Sequence, residues 1–342
     1  MNELNYHDFF DILCSFASSK GRGAKLFGDD VLKLSEKIAP FLIGCSFPAI
    51  YLEFPLIGTP FLDATILYND IESGTRIDSI TAGDCSALLD WYSQIRKKYP
   101  NICFGFELDT DSPKNTQAAI HFQPRKSIEL VEPFCKTIGE EDRGKLYLET
   151  SKKMPDGWPL SFFGIFRGRK NAPLRVCGYI SDEAQSIGAK DPMEIKAVFD
   201  KVGFTDYNNI MLEQISKIMS LNYQGIDFQF DIHPDGSFGD TFALDVELSE
   251  KSSKQIHKAF SNGVSAELMN VIKTWGIADE RTSLLKDLGL SRSIKIPNND
   301  GTDARLAFIF RPDWVKIRWR QCCLQPSKCY SFINAKKLES SE

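Results

Sequence analysis

The chain has 342 residues, 42% of them hydrophobic and 12% aromatic, and a formal net charge of −5. That composition is enough to bury a large core and excludes intrinsic disorder, while the acidic balance excludes a generic nucleic-acid surface, which rests on clustered Lys and Arg. Nine cysteines, an odd number with no CxxC pair, read as reduced thiols of a cytoplasmic protein, and no apolar run approaches the ~18 residues of a membrane span.

Residues 1–45 read as a helical N-terminal segment. From 46 to 335, short β-rich runs alternate with helical stretches, and the whole of 1–342 reads as one domain. The expected strands, in chain order, are Ala49–Phe54, Leu62–Tyr68, Ile102–Asp109, Gln117–Gln123, Lys145–Thr150, Leu160–Arg167, Leu174–Ser181, Gly225–His233, Thr241–Leu248, Arg305–Phe310, Trp314–Arg320 and Cys329–Asn334. Turn residues such as Pro155-Asp156-Gly157 and His233-Pro234-Asp235-Gly236 join neighbours as hairpins. Between hairpins, Asp84–Tyr99 and Ser127–Ile138 read as helices. So does the run from cap Asp191 and Pro192 through Ile195, Val198, Phe199 and Val202 to Gly203. Met211, Ile215, Ile218 and Met219 repeat the stripe, as do Leu268, Val271, Ile272 and Trp275. The order helix, hairpin, helix, hairpin predicts an α+β fold: an antiparallel barrel of about ten strands with helices outside.

Alternation separates the two faces of each strand. Asp227, Gln229, Asp231 and His233 share one face, as do Asp245 and Glu247, Tyr51 and Glu53, Arg175 and Tyr179, and Cys103, Gly105, Glu107 and Asp109. Trp314, Lys316, Arg318 and Arg320 form a cationic face opposite Val315, Ile317 and Trp319. Helices covering the apolar faces leave these polar faces either to water, as on many open antiparallel sheets, or to a barrel lumen that would be a binding chamber.

Local motifs narrow the chemistry. Gly21-Arg22-Gly23-Ala24-Lys25 follows no strand and lacks the Gly-Lys-Ser/Thr of a phosphate loop, so it reads as a basic loop. No HExxH or GxSxG occurs, and His233 beside Pro234-Asp235-Gly236 reads as a turn residue. Lys316, Arg318 and Arg320 repel one another unless water or an anion compensates, which makes them candidates for an anion site or an exposed face.

Three stretches, SFPAIYLEF, FGFELDTDSPKNTQAAIHFQPRKSIELVEPF, and GKLYLETSKK with LSFFGIFRGRKNAPLRVCGYIS, resemble the ABBA-type prenyltransferases, closest to the cyanobactin-type peptide enzymes. The resemblance implies a barrel that holds an allylic diphosphate on inward cationic and tyrosine side chains and uses a carboxylate as base. Arg175 and Tyr179 match the basic-x-x-x-Tyr pair of a diphosphate strand, Glu53 matches the base, and His121 is the polar residue available on Ala118–Gln123. Lys316, Arg318 and Arg305 join the diphosphate site from alternation and charge. Asp227, Asp231, Asp245, Glu247 and Trp314 are assigned to the acceptor, and Trp314, Tyr179 or Phe163 to shielding the allylic cation. The implied co-substrate is an isoprenoid diphosphate, with Mg2+ left open, and the acceptor is a peptide or small molecule, with no nucleic acid or membrane as partner. Two other readings stand beside it: a non-catalytic barrel that captures a peptide or anion, and another peptide-modifying enzyme whose acidic cluster holds a cationic side chain or a metal.

Overall fold

Runs of alternating apolar and polar residues fold as hairpins because one face of each strand packs on helices while the other stays hydrated or paired. The computed structural model describes residues 22–27, 49–68, 86–109, 117–169, 171–221, 225–248, 253–297 and 303–338, with the backbone alone for 22–24, 253–254, 290–297, 303–308 and 334–338. Its strands are β1 (Ala49–Pro55), β2 (Asp63–Tyr68), β3 (Cys103–Leu108), β4 (Ala119–Gln123), β5 (Leu160–Ile165), β6 (Leu174–Tyr179), β7 (Ile226–Ile232), β8 (Phe238–Glu247), β9 (Leu290–Pro297), β10 (Asp303–Arg320) and β11 (Cys323–Leu338). Each of β1 to β7 pairs antiparallel with the next, β8 pairs with β10, β10 with β11, and β11 returns to β1. Ten strands therefore close into a ring, as expected. Closure removes the sheet edges that an open sheet would expose.

Helices separate the hairpins: α1 (Arg22–Phe27) before the first, then α2 (Ser86–Ile95), α3 (Val131–Thr137) with α4 (Glu141–Lys153), α5 (Asp182–Gly188) with α6 (Pro192–Val202) and α7 (Asn209–Ser220), and α8 (Ser253–Asn262) with α9 (Val264–Thr274). α6 forms where its sequence demands it. The Asp191 side chain accepts from the Met193 amide, Pro192 occupies the first turn, and Gly203 ends the helix at φ 88°, a left-handed conformation that glycine adopts without strain. α1 is the only part of the expected 1–45 helical segment within the described residues, and it is helical from Arg22 where the sequence reads as a basic loop.

The core lies between helices and the outer barrel wall. Phe122 and Phe134 stack at 4.1 Å between centroids, and Phe163 and Tyr147 pack against them. Phe199, Phe230 and Phe242 form a second aromatic group under α6, beside Trp319, whose indole donates to Gln214 on α7. At one barrel end Arg281, almost fully buried, donates to the carbonyls of Pro55 and Gly58 and to Asp279, fixing the β1–β2 turn.

The structure corrects three elements. Lys145–Thr150, expected as a strand, lies within α4: Leu146, Tyr147 and Thr150 make one buried helical face, and Glu141 and Asp142 at the start with Lys152 and Lys153 at the end suit the helix dipole. Arg305–Phe310 and Trp314–Arg320 are one strand, because Arg311-Pro312-Asp313 forms a register shift rather than a turn. β9 was not expected; it pairs with the first half of β10, so this part of the hairpin extends past the end of β8.

Candidate functional site in the barrel lumen

The polar faces point into the lumen. A cavity of about 200 Å³ there is lined by Glu53, Glu107, Asp109, Arg169, Arg175, Lys316, Arg318, Pro326 and Lys328. Five cations thus face three carboxylates. Of the residues expected at an anion site, the structure brings Arg175, Lys316 and Arg318 together with Glu53.

Each cation has a distinct setting. Lys328 donates to the Glu53 carboxylate and sits 4.9 Å from the Phe61 ring. Arg175 Nε donates to Asp231 Oδ1 at 3.1 Å, and its guanidinium lies 4.7 Å from the Phe166 ring. Phe166 also takes Arg169 at 4.6 Å, which in turn pairs with Asp109 at 2.6 Å. Aromatic faces attract cations, so these rings hold the guanidinium planes in place without using their N–H donors, of which Arg175 gives Nε–H to Asp231 and Arg169 gives one to Asp109. Lys316 Nζ donates to Tyr330 Oη at 2.9 Å and stays 3.9 Å from Asp245 Oδ1. Arg318 has no hydrogen-bond or ion-pair partner among the described residues.

Charge states follow from these neighbours. Burial works against ionising Glu53, but Lys328 and Lys316 outweigh it and hold the carboxyl below its ordinary value. Glu107 is likewise held well below the carboxylate range: burial raises it, and the hydrogen bond and charge of His121, 2.8 Å away, prevail with help from Arg175 and Lys316. Burial, reinforced by Glu53 and Asp245, keeps Tyr330 a neutral phenol. Gly164 gives His121 its room, since a Cβ there would stand 2.8 Å from the imidazole.

Other expected site residues lie elsewhere. Tyr179 is four residues from Arg175, ~13 Å along the same strand; it is 49% exposed, faces Asp227 in the register, and does not line the cavity. A different phenol, Tyr330, stands beside the cavity through its hydrogen bond from Lys316. His121 is tied to Glu107 behind the cavity wall. The backbone of Arg305 pairs with Leu338 and Lys295 on the extension beyond the ring, and its side chain lies outside the description. Phe163 belongs to the outer core, not to the lumen.

The carboxylates assigned to the acceptor divide. Asp231 pairs with Arg175 at the cationic end. Asp245 is in register with Lys316 of the cavity, and Asp227 and Glu247 lie on its far side: Asp227 faces Asp245 across β7 and β8, and Glu247 faces Trp314 across β8 and β10. Burial, with the charges of Asp245 and Glu247, pushes Asp227 up to about 8. The five cavity cations therefore lie among carboxylates at one end of the lumen, and Asp227 and Glu247 lie beyond Asp245 at the other.

Sequence reasoning missed Lys328 and Arg169, which line the cavity, and Tyr330, which Lys316 donates to beside it. Lys328 and Tyr330 alternate on the lumen face of β11 with Phe332, but the expected strand starts at Cys329, which leaves Lys328 outside it, and Tyr330 within it carries no charge to mark it. Arg169 follows β5 in a loop and carried no periodic signal.

The donor set does not fit a magnesium ion. Among the described residues no three His, Cys, Asp or Glu side chains converge to hold a metal, and the cavity's carboxylates are each engaged: Glu53 by Lys328, Glu107 by His121, Asp109 by Arg169. No helix among the described residues is long and apolar enough to cross a membrane.

No family model and no curated protein matches the sequence. Among solved structures the chain is similar to 5-dimethylallyltryptophan synthase from Streptomyces coelicolor, at 10% identity and a TM-score of 0.48 over 96% of both chains. The complex of that enzyme with DMASPP and Trp is similar at 11% identity and a TM-score of 0.49, over 95% of this chain and 92% of that one. The prenyltransferase PriB with L-tryptophan and dimethylallyl thiolodiphosphate is similar at 9% identity and a TM-score of 0.44, over 95% and 93% of the two chains.

Proposed function

We propose that this chain is a prenyltransferase that moves an isoprenoid group from an allylic diphosphate to a side chain of a peptide, of the cyanobactin type, or of a small molecule, within the reducing cell interior. One observation carries the reading: a lumen cavity in which five cations face three carboxylates, with Arg318 lacking any described partner. The free cysteines among the described residues accord with a reducing compartment.

Arg318, Arg175, Lys316 and Lys328 would bind the diphosphate oxygens, with the Tyr330 hydroxyl beside Lys316. As the allylic C–O bond breaks, its electron pair leaves with the diphosphate, and these fixed charges stabilise the leaving anion in a site of low dielectric. The acceptor's nucleophilic atom supplies the pair for the new C–C or C–heteroatom bond. Glu53 would take the proton that the adduct loses. The adduct is strongly acidic, so an ionised carboxylate of lowered pKa suffices as base. Incubation with C5, C10 and C15 allylic diphosphates and a panel of aromatic peptides and small molecules, read by mass spectrometry, tests the proposal. Mass gains matching one prenyl group support it, and an absence of product with all three donors contradicts it.

A further inference from the structure

We infer that the acidic end of the lumen is a recognition subsite for a positively charged group, an ammonium or a guanidinium, on the acceptor. The inference rests on the prenyl-transfer reading for the word acceptor, while its two carboxyl groups, Asp227 and Asp245, do not line the cationic cavity.

Asp227 on β7 and Asp245 on β8 are directly opposite in the register and share the lumen face. Two ionised carboxylates so placed would repel, which keeps a proton on Asp227, and a counter-charge between them would let both ionise. The structure supplies too little counter-charge. Asp245 is only 7% exposed, and Gln229 donates to its Oδ2, yet its Oδ1 accepts no hydrogen bond. Lys316 stands 3.9 Å from that oxygen, beyond hydrogen-bond range, with its ammonium given to Tyr330. Asp227 has no hydrogen-bond partner among the described residues. A buried acceptor oxygen without a donor costs free energy until something donates to it.

The groups facing Asp227 define what fits. From β6 come Tyr179, opposite in the register, and the thiol Cys177; from β8 come Asp245 and Glu247; Gln229 is on its own strand; and Lys316 on β10 stands on the far side of Asp245. Asp227 faces another carboxyl and no cation across β7 and β8, and the ammonium near Asp245 is given to Tyr330. An ammonium offers three donors and no acceptor, which complements two carboxyl groups with free oxygens. Trp314 faces Glu247 in the register, and Tyr179 at the rim is half exposed, so aromatic faces flank the subsite. Burial and the neighbouring acids raise Asp227 to about 8, and an arriving cation would lower it again and expel its proton.

Calorimetric titration with 2-phenylethylammonium and with 2-phenylethanol, which share ring and chain length and differ in charge, tests the subsite. At pH 7 in two buffers of different ionisation enthalpy, the charged probe should bind the wild-type protein at least ~10-fold tighter and release a fraction of a proton. Asp227→Asn should abolish the proton release, and Asp227→Asn and Asp245→Asn should each erase most of the charge preference. Equal binding of the two probes, no binding of the charged probe, or a preference retained in both variants overturns the inference. A parallel titration of the wild-type protein with inorganic pyrophosphate separates the two readings. Pyrophosphate silence with an intact ammonium preference condemns the donor site alone, and the reverse condemns this subsite alone.

Discussion

Glu53 on β1 and Lys328 on β11 form an ion pair across the seam where the barrel closes, with Pro55 and Lys328 in register beside it. The pair keeps Glu53 ionised in the cavity, and the same contact gives it a structural duty. Glu53→Gln separates the two roles. It keeps a hydrogen-bond acceptor for Lys328 and removes the proton acceptor, so donor affinity should hold while turnover falls ~10²-fold or more. A stable Glu53→Gln protein with full transfer activity removes Glu53 from the chemistry.

Arg318 and Arg175 should respond differently to truncation. Arg318→Ala should weaken pyrophosphate binding by ~1.5–3 kcal/mol, the range for hydrogen bonds to charged groups, with little change in melting temperature. Arg175→Ala should weaken it by a similar amount and also lower the melting temperature, because Asp231 loses its partner at 3.1 Å. Calorimetry and thermal melts on the same samples check both. Unchanged affinity in either variant takes that residue out of the anion site.

Asp227 sets a pH dependence of stability with a definite sign. Its folded-state value of about 8 lies above the ~3.9 of an unfolded aspartate. Between those values the folded protein keeps a proton that the unfolded chain has released, so stability falls as pH rises through the window. Asp227→Asn removes the effect. The variant should melt higher than wild type at pH 8, and the gap should close towards pH 4; a gap that widens on acidification contradicts the assignment.

The outer wall depends on its aromatic stack. Phe134→Ala leaves Phe122 and Phe163 facing a void, and a loss of ~3–5 kcal/mol is expected from denaturant unfolding. A loss below ~1 kcal/mol would mean that α3 is not packed on β4 and β5 as described.

Period-two alternation made most of the barrel legible. Leu52, Phe54, Phe228, Phe230, Val315 and Ile317 are all buried on the helix side, and the residues between them face the lumen. Alternation reports which face a residue occupies and not its height along the barrel. Arg175 and Tyr179 therefore looked like neighbours in one site, and the structure puts them towards opposite ends. Register is a long-range property, so the meeting of Glu53 with Lys328, 275 positions apart, left no trace in either local segment. Lys145–Thr150 misled because so short a run fits both periods, and the charges flanking it decided for helix.

The most direct test of the account is a calorimetric titration of the wild-type protein and Arg318→Ala with dimethylallyl S-thiolodiphosphate and its C10 and C15 homologues, which keep the diphosphate and resist ionisation. The account predicts that at least one chain length binds the wild type at one per protein and that Arg318→Ala weakens it ~10–100-fold. Failure of all three analogues to bind the wild type, or equal binding to the two proteins, would contradict it.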